Sequence, residues 1–569
     1  MSVASLVTDT LGARASLSRG LSVAFFTALG VLAVTGVGLA FSYAPSTSSA
    51  WASVYFTEYQ LAGGYFVRSL HMVAAEATVV LGALALAVAC LEGRYRGARQ
   101  GAFFAQATAL ALALVACVSG NPLRWDNRGY FGFLTETNIA GELPGGALVR
   151  ALMLGGGTAS DFTLTRLYAA HALLVPVALG LTLAWWGRAS LRAGAEARDE
   201  GSVGASGQPW IDVAFSLVAA ATMFALARAM RAPLEAPADP AGSYDARPEW
   251  YFQSLYVARN AVPPAVQGVL AAGAPVLAAA LVALTPRLDA DPSRAPGARA
   301  PRVAPLLGLL GGVAALTAVG VRRDARDTGL TAARAAQHQR DRRAAQVAKA
   351  EGIPPDGALA MMRRDPVSRG EDLFREHCAT CHRLGELAPA DGKLTAPSLD
   401  GFGTEAWALA VLKDPDAPTL FGGSAYKEKM PSMVQPPKDA AARRDWKPVP
   451  EADLLAMAQF LAAEARGGAT GAQARGAKLI KQRCTSCHLL RGETDDADGL
   501  GPELSGWGSL AWIRAQLANP GTAATYRAAS MSPALDGHMP RYDDKLSSDD
   551  LDLLTRFVWS RAQKSAVRP

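Results

Sequence analysis

The sequence predicts an all-α protein, with seven membrane-spanning helices followed by two small helical domains. Three observations carry this. Seven apolar stretches lie within residues 20–321, each close to the roughly 20 residues that a helix needs to cross a bilayer. Nearly all the Lys and much of the Asp and Glu fall after residue 322, which separates a membrane half from a soluble half. In the soluble half a Cys-x-x-Cys-His run occurs twice, in surroundings that repeat with it.

The apolar stretches lie near 20–42, 67–91, 101–120, 164–187, 211–230, 263–285 and 303–321. Gly and Pro within them do not argue against membrane helices. The first follows Arg19, is too long for a signal h-region and lacks a small-residue cleavage site, so it reads as a retained helix that also directs export. Arg94, Arg96, Arg99, Arg188, Arg192, Arg198, Arg287, Arg294, Arg299 and Arg302 crowd the connections after helices two, four and six, whereas residues 43–67 contain no Lys or Arg. The positive-inside rule makes those connections cytoplasmic. Seven crossings then put the C-terminal half outside, in the periplasm of a cell with an inner membrane. The basic segment from Arg322 to Arg343 pulls the other way and is outweighed by the helix count. The net charge of +6 reflects these loops; it suits acidic lipid headgroups or an acidic redox partner, and no motif supports nucleic-acid binding.

The expected organisation is a four-helix part over 15–200, a three-helix part over 205–321, a linker over 322–365 and two domains over 366–466 and 471–563. The linker is rich in Ala, Arg and Gln, hence helical, and Pro354-Pro355 breaks it, so that it lets the domains reach between partners.

Of six cysteines, Cys90 and Cys117 sit singly in apolar stretches and read as buried thiols. Cys378-Ala-Thr-Cys381-His382 and Cys484-Thr-Ser-Cys487-His488 have the spacing at which two thiols add to haem vinyl groups while the adjacent His reaches the iron. The repeat extends further. Gly370 and Gly476 precede the first Cys by eight residues, and Phe374 and Ile480 by four; Pro397 and Pro502, then Trp407 and Trp512, follow the His. Met430-Pro431 and Met539-Pro540 come next, then amphipathic helices over Leu454–Leu461 and Leu551–Val558. A thioether on the far face of each haem raises its potential. Met430 and Met539 are the candidates, with Met433, Met531 and His538 as rivals. A zinc-binding or redox-active Cys-x-x-Cys is the alternative, but zinc wants four N or S donors in each domain and the first copy offers few. Both domains resemble class I cytochromes c.

Only His71 and His171 lie before residue 322. Each sits early in a helix running from outside to inside, so the two imidazoles share one depth near the outer face. That suits a bis-imidazole haem between facing helices, against the alternative of two satisfied structural histidines. The surrounding runs are Arg68-Ser69-Leu70-His71, Leu164 to His171, Trp125-Asp126 with Gly129-Tyr130, Pro233 to Pro240, and Pro248-Glu249-Trp250-Tyr251. In that order they resemble cytochrome b of Rieske/cytochrome b complexes, especially the chloroplast-type form joined to its subunit IV. The resemblance implies that Glu249 and Tyr251 border a quinol-oxidising pocket, with Glu249 as general base. It also implies that Arg68 and Arg166 neutralise haem propionates. Expected partners are quinol, membrane lipid, a separate Rieske iron–sulfur chain, a periplasmic cytochrome or terminal oxidase, and a second copy in a homodimeric complex.

The chain departs from that family at the inner haem. Its ligands would stand 14 and 15 residues after His71 and His171, where this sequence has Ala85 and Trp186. Fourteen residues is about 21 Å along a helix. Gly36 and Gly120 leave room for a haem at the outer level, but Ser22 and Gln106 replace the inner glycines. The sequence therefore predicts one haem b, two haem c and quinol as substrate. The function read from it is quinol-to-cytochrome electron transfer on the outer side. The rival is a non-catalytic membrane anchor or haem sensor that displays a dihaem cytochrome.

Overall fold

The computed structural model describes residues 16–142, 145–199, 208–242, 244–289, 296–438, 443, 446–493, 501–522, 524–526 and 539–564. Met531, His538 and Arg294 lie outside them. The chain forms two compact units, residues 1–361 and 362–569.

Among the described residues of the first unit, seven helices are long and apolar enough to cross a membrane: α1 (Leu17–Ala40), α2 (Gly64–Glu92), α3 (within Gly97–Arg124), α6 (Asp161–Ala195), α7 (Gln208–Ala229), α9 (Pro264–Leu288) and α10 (Pro301–Arg326). Between them lie α4 (Asn127–Gly141), α5 (Gly146–Leu154) and α8 (Gln253–Asn260). This is a multi-pass membrane protein of all-α fold. Helix α1 packs along α2, and α3 along α6, with α2 against α3; these four make the bundle, and α7 covers α1 and α2. Helices α8, α9 and α10 pack on one another, and α10 returns to α2.

Local chemistry fixes the helix ends. Ser16 caps α1 by accepting from the Arg19 N–H, and the Glu92 carboxylate accepts from Leu17 N, Ser16 Oγ and Ser18 Oγ, which ties the start of α1 to the end of α2. Asp289 binds Tyr95 and Arg96 on the same side of the bundle. At the opposite end Asp126 caps α4 and also accepts from Glu235 N, which ties down the 233–240 loop.

The linker does not hang free of its unit. Helix α11 (Thr328–Glu351) is capped by Asp327, and Ala344, Val347 and Ala348 are buried at i, i+3, i+4 spacing. Its Asp341 accepts from Ala236 N at 2.7 Å, and Tyr55 Oη donates to Ala345 O at 3.4 Å. Residues 328–351 therefore do not supply the reach expected of the linker.

The second unit contains α12 (Pro366–His377), α13 (Glu405–Lys413), α14 (Glu451–Ala465), α15 (Ala474–Arg483), α16 (Leu510–Ala518) and α17 (Ser548–Lys564). One hydrophobic core runs through both repeats, with Phe374, Leu454, Met457, Ile480, Leu554 and Phe557 buried in it. Within it α12 lies on α17, and α15 on α14.

Candidate functional site

Two imidazoles face each other inside the bundle. His71 is in the second turn of α2, and His171 is in a widened turn of α6, Ala170–Leu174, where the helix briefly takes i→i+5 bonding. Their ring centroids are 6.2 Å apart. Metal–imidazole bonds of about 2 Å on either side of one ion put two ring centres about 6 Å apart, so the spacing fits a shared iron.

The other ring nitrogens are already committed. His171 Nδ1 lies 3.0 Å from Ala116 O, which can only accept, so Nδ1 carries the proton. His71 Nδ1 lies 2.9 Å from Thr35 Oγ1, whose own proton goes to Val31 O at 2.7 Å; here too Nδ1 is the donor. Both Nε2 lone pairs are left for a metal, which is how ligand imidazoles are ordinarily oriented. Glycines make the space: a Cβ at Gly36 would come within 3.3 Å of the His71 ring, and one at Gly120 within 2.6 Å of the His171 ring. The residues present thus fit a haem b.

Arg68 and Arg166 do not come together here. Arg68 is buried, donates to Glu58 Oε2 at 2.5 Å and donates to Pro233 O at 2.9 Å. Arg166 is exposed, with a bond to Leu152 O at 3.4 Å. The arginine that does stand beside Arg68 is Arg124, which sequence reasoning missed. It pairs with Asp126 at 3.3 Å, feels the charge of Glu249, and keeps a buried Nη2 with no hydrogen-bond partner. Its only sequence signal was its place directly before Trp125-Asp126.

At the inner level side chains pack on one another. Ala85 is fully buried, and Trp186 packs on Phe26 with ring centroids 4.8 Å apart. Phe25, Phe26 and Ala109 form a small core with Leu81, Leu110, Leu179 and Trp186. The Ser22 hydroxyl donates to Gln106 Oε1 across the same level.

Glu249 precedes the short turn Trp250–Phe252 that leads into α8, and its Oε2 accepts from Arg128 Nη2 of α4 at 2.6 Å. The Tyr251 side chain comes close to those of Asn121 and Cys117, and burial raises its pKa above the usual phenol range. Cys117 is therefore half of a contact with Tyr251, beyond the buried thiol expected. Ala116 and Ser119 turn toward His171 while Cys117 and Asn121 turn toward Tyr251, so one stretch of chain at the end of α3 separates the two sites.

A further carboxyl borders Glu249. Glu136 on α4 has a buried Oε2 without a partner, and burial first, then the charge of Glu249, pushes it up to about 8 from 4.5. The folded chain therefore holds a proton there that the unfolded chain releases, so stability falls as pH rises between those values. Glu136→Gln is expected to remove that decline, worth at most a few kcal/mol. Thermal unfolding from about pH 6 to about pH 8.5 checks it, and an unchanged pH slope counts against it.

In the second unit, His382 Nδ1 donates to Pro397 O at 2.7 Å and His488 Nδ1 to Pro502 O at 3.1 Å, which again leaves Nε2 for a metal. Cys378 and Cys484 are buried, Cys381 and Cys487 exposed, and all four are free thiols. A Cβ at Gly501 would come within 2.4 Å of His488 Nδ1, so the ring needs a glycine beside it. These residues fit covalently attached haem. Met430, Met433 and Met539 all pack against the shared core.

Three segments of the chain match known families. Residues 13–186 match the family described as cytochrome b/b6/petB, residues 237–337 that described as cytochrome b(C-terminal)/b6/petD, and residues 473–562 that described as cytochrome c. Cytochrome b6 of Oltmannsiellopsis viridis is 30% identical over 155 residues, which cover 27% of this chain and 72% of that one. Cytochrome b6 of Emiliania huxleyi is 30% identical over 149 residues, 26% of this chain and 69% of that one. For cytochrome b6 of Mastigocladus laminosus the figures are 28% over 143 residues, 25% and 66%. A solved chain described as "Hyperthermophilic respiratory Complex III" aligns over 56% of this chain and 89% of its own length, at 19% identity and a TM-score of 0.47.

Proposed function

Because the chain belongs to the cytochrome b/b6 family and carries cytochrome c sequence at its C-terminal end, we propose that this membrane electron-transfer subunit oxidises quinol beside Glu249. Electrons leave through a haem b at His71/His171 and two haem c to a periplasmic acceptor. The observation that supports this best is the shared end of α3, where residues 116–121 hold His171 on one side and Tyr251 on the other.

A haem held there supplies a one-electron acceptor. The residues of the chain do the rest. Tyr251 and Trp250 give a flat wall for a quinol ring, and Glu249, once released from Arg128, accepts a quinol proton as general base. Glu136 offers a second buried carboxyl next to Glu249 for passing that proton onward. Arg68 and Arg124 are the cations for the haem propionates, with Arg124 the better placed because its Nη2 has no other partner. Quinol, a separate Rieske iron–sulfur chain, a second copy of this chain and an outer-side acceptor are the partners of this reading, and the C-terminal unit lies on the periplasmic side of the inner membrane.

We also propose that the chain holds a single haem b. Ala85, Trp186, Phe25 and Phe26 occupy the level where a second would sit, and a haem needs that volume empty and two nitrogens facing it. A pyridine haemochrome assay on the purified chain is expected to give one b for every two c. Two separately titrating b haems would reject this part of the reading.

Glu249→Gln tests the catalytic part. Loss of a general base costs about 10²-fold or more. Quinol-dependent reduction of the c haems is expected to slow by that order while dithionite-reduced spectra stay unchanged. Unaltered quinol-dependent rates would favour the rival, a membrane anchor that displays a dihaem cytochrome.

A further inference from the structure

The two repeats of the second unit are completed by each other. The opening helix of the first, α12, lies on the closing helix of the second, α17, and the opening helix of the second, α15, lies on the closing helix of the first, α14. The same contacts are made twice, at equivalent positions. Arg369, nine residues before Cys378, donates two bonds of 2.8 Å to Asp550; Arg475, nine before Cys484, donates to Asp453 at 2.5 Å. A Cβ at Gly370 would meet the Phe557 Cβ at 2.2 Å, and one at Gly476 would meet the Phe460 Cβ at 2.8 Å. Asp453 and Phe460 hold in α14 the places that Asp550 and Phe557 hold in α17, seven residues apart in each case.

The connection explains why. Gly467 and Gly468 have φ of +116° and +118°, which side-chain-bearing residues rarely adopt, and they turn the chain straight from α14 back toward α15. Helices joined by so short a turn pack as an antiparallel pair. With α14 paired to α15, α12 pairs with α17.

The crossing reaches the attachment motif. Tyr542, three residues after Met539, donates its hydroxyl to the carbonyl of His377, the residue before Cys378, at 2.8 Å, and the His377 and Tyr542 rings are 5.7 Å apart. The Met539 segment of the second repeat thus lies beside the first motif.

We propose that each haem c is held by both repeats: the iron attached at Cys378, Cys381 and His382 takes Met539 as its sixth ligand, and the iron attached at Cys484, Cys487 and His488 takes Met430. This rests on the reading of both motifs as haem c sites. Met430 is assigned by its equivalence to Met539. Neither repeat can complete a haem site without the other.

Paired cysteines in the full-length protein test the crossing. Arg369→Cys with Asp550→Cys is expected to form a disulfide on mild oxidation, located by peptide mass, whereas Arg369→Cys with Asp453→Cys is not. The opposite result overturns the proposal. The ligand assignment is tested in a full chain whose second motif is removed (Cys484→Ser, Cys487→Ser), so that one haem c remains. Met539→Ala is expected to abolish the far-red charge-transfer band of methionine-ligated ferric haem, and Met430→Ala to leave it. Loss of the band with Met430→Ala alone overturns the assignment even if neither disulfide forms. A chain with no covalently bound haem would instead overturn the haem c reading, and the disulfide result would still decide the helix pairing.

Discussion

His171→Leu is expected to remove haem b completely and leave both haem c in place. The imidazole is one of two nitrogen donors at 6.2 Å centroid spacing, and no third histidine lies in the membrane half to replace it. Leucine is close in volume and apolar, so the bundle has little reason to unfold. It cannot bind iron, and the Gly120 gap that admits the ring would be crowded by its branched end. The b-type absorption should vanish from dithionite-reduced membranes, and quinol-dependent reduction of the c haems should fall with it. Thr35→Val is the graded control. It removes the acceptor that fixes the His71 tautomer, and loss of such an orienting partner typically costs 10–100-fold in metal affinity. That variant should retain haem when expressed with excess haem precursor and lose it otherwise. Full b-haem content in purified His171→Leu protein would refute the assignment of both ligands.

Much of the membrane half was legible because its signals are local. An apolar run of helical length announces a span, and two histidines at equal depth in parallel helices announce a pair, since the rise per residue is fixed. The departure at the inner level was legible too, in Ala85, Trp186, Ser22 and Gln106. What sequence did not give was identity among similar neighbours. Arg124, Thr35 and Glu136 look like ordinary interfacial residues until their surroundings are seen, and only then does a buried guanidinium nitrogen without a hydrogen bond, or a buried carboxyl, stand out. Helix α11 carried its docking face openly, in Ala344, Val347 and Ala348, but basic composition argued for a solvated tether. The crossed repeats were the deepest omission. Periodicity shows which face of α12 is buried, yet α14 and α17 present almost the same surface to it. The deciding residues were Gly467 and Gly468, whose backbone angles select the partner.

That crossing makes Gly370 a sensitive position in the second unit. A Cβ there would lie 2.2 Å from the Phe557 Cβ, 2.8 Å from its ring and 3.1 Å from the Leu553 carbonyl. The last is backbone, so no rotamer change relieves it; the helices must separate. Overpacking of this kind costs about 1–3 kcal/mol for a modest insertion. Gly370→Ala should therefore lower the unfolding free energy of the second unit by that amount, and Gly370→Leu should prevent stable haem c incorporation. Gly471→Ala is the matched control, because nothing lies within 4 Å of its Cβ and its effect should stay within about 0.5 kcal/mol. Denaturant unfolding followed by haem c absorbance reads both. Because α12 packs on α17 and not on α14, the loss in Gly370→Leu should fall on the haem attached at Cys378 and be relieved by Phe557→Ala but not by Phe460→Ala. Relief by Phe460→Ala instead would mean that the helices do not cross.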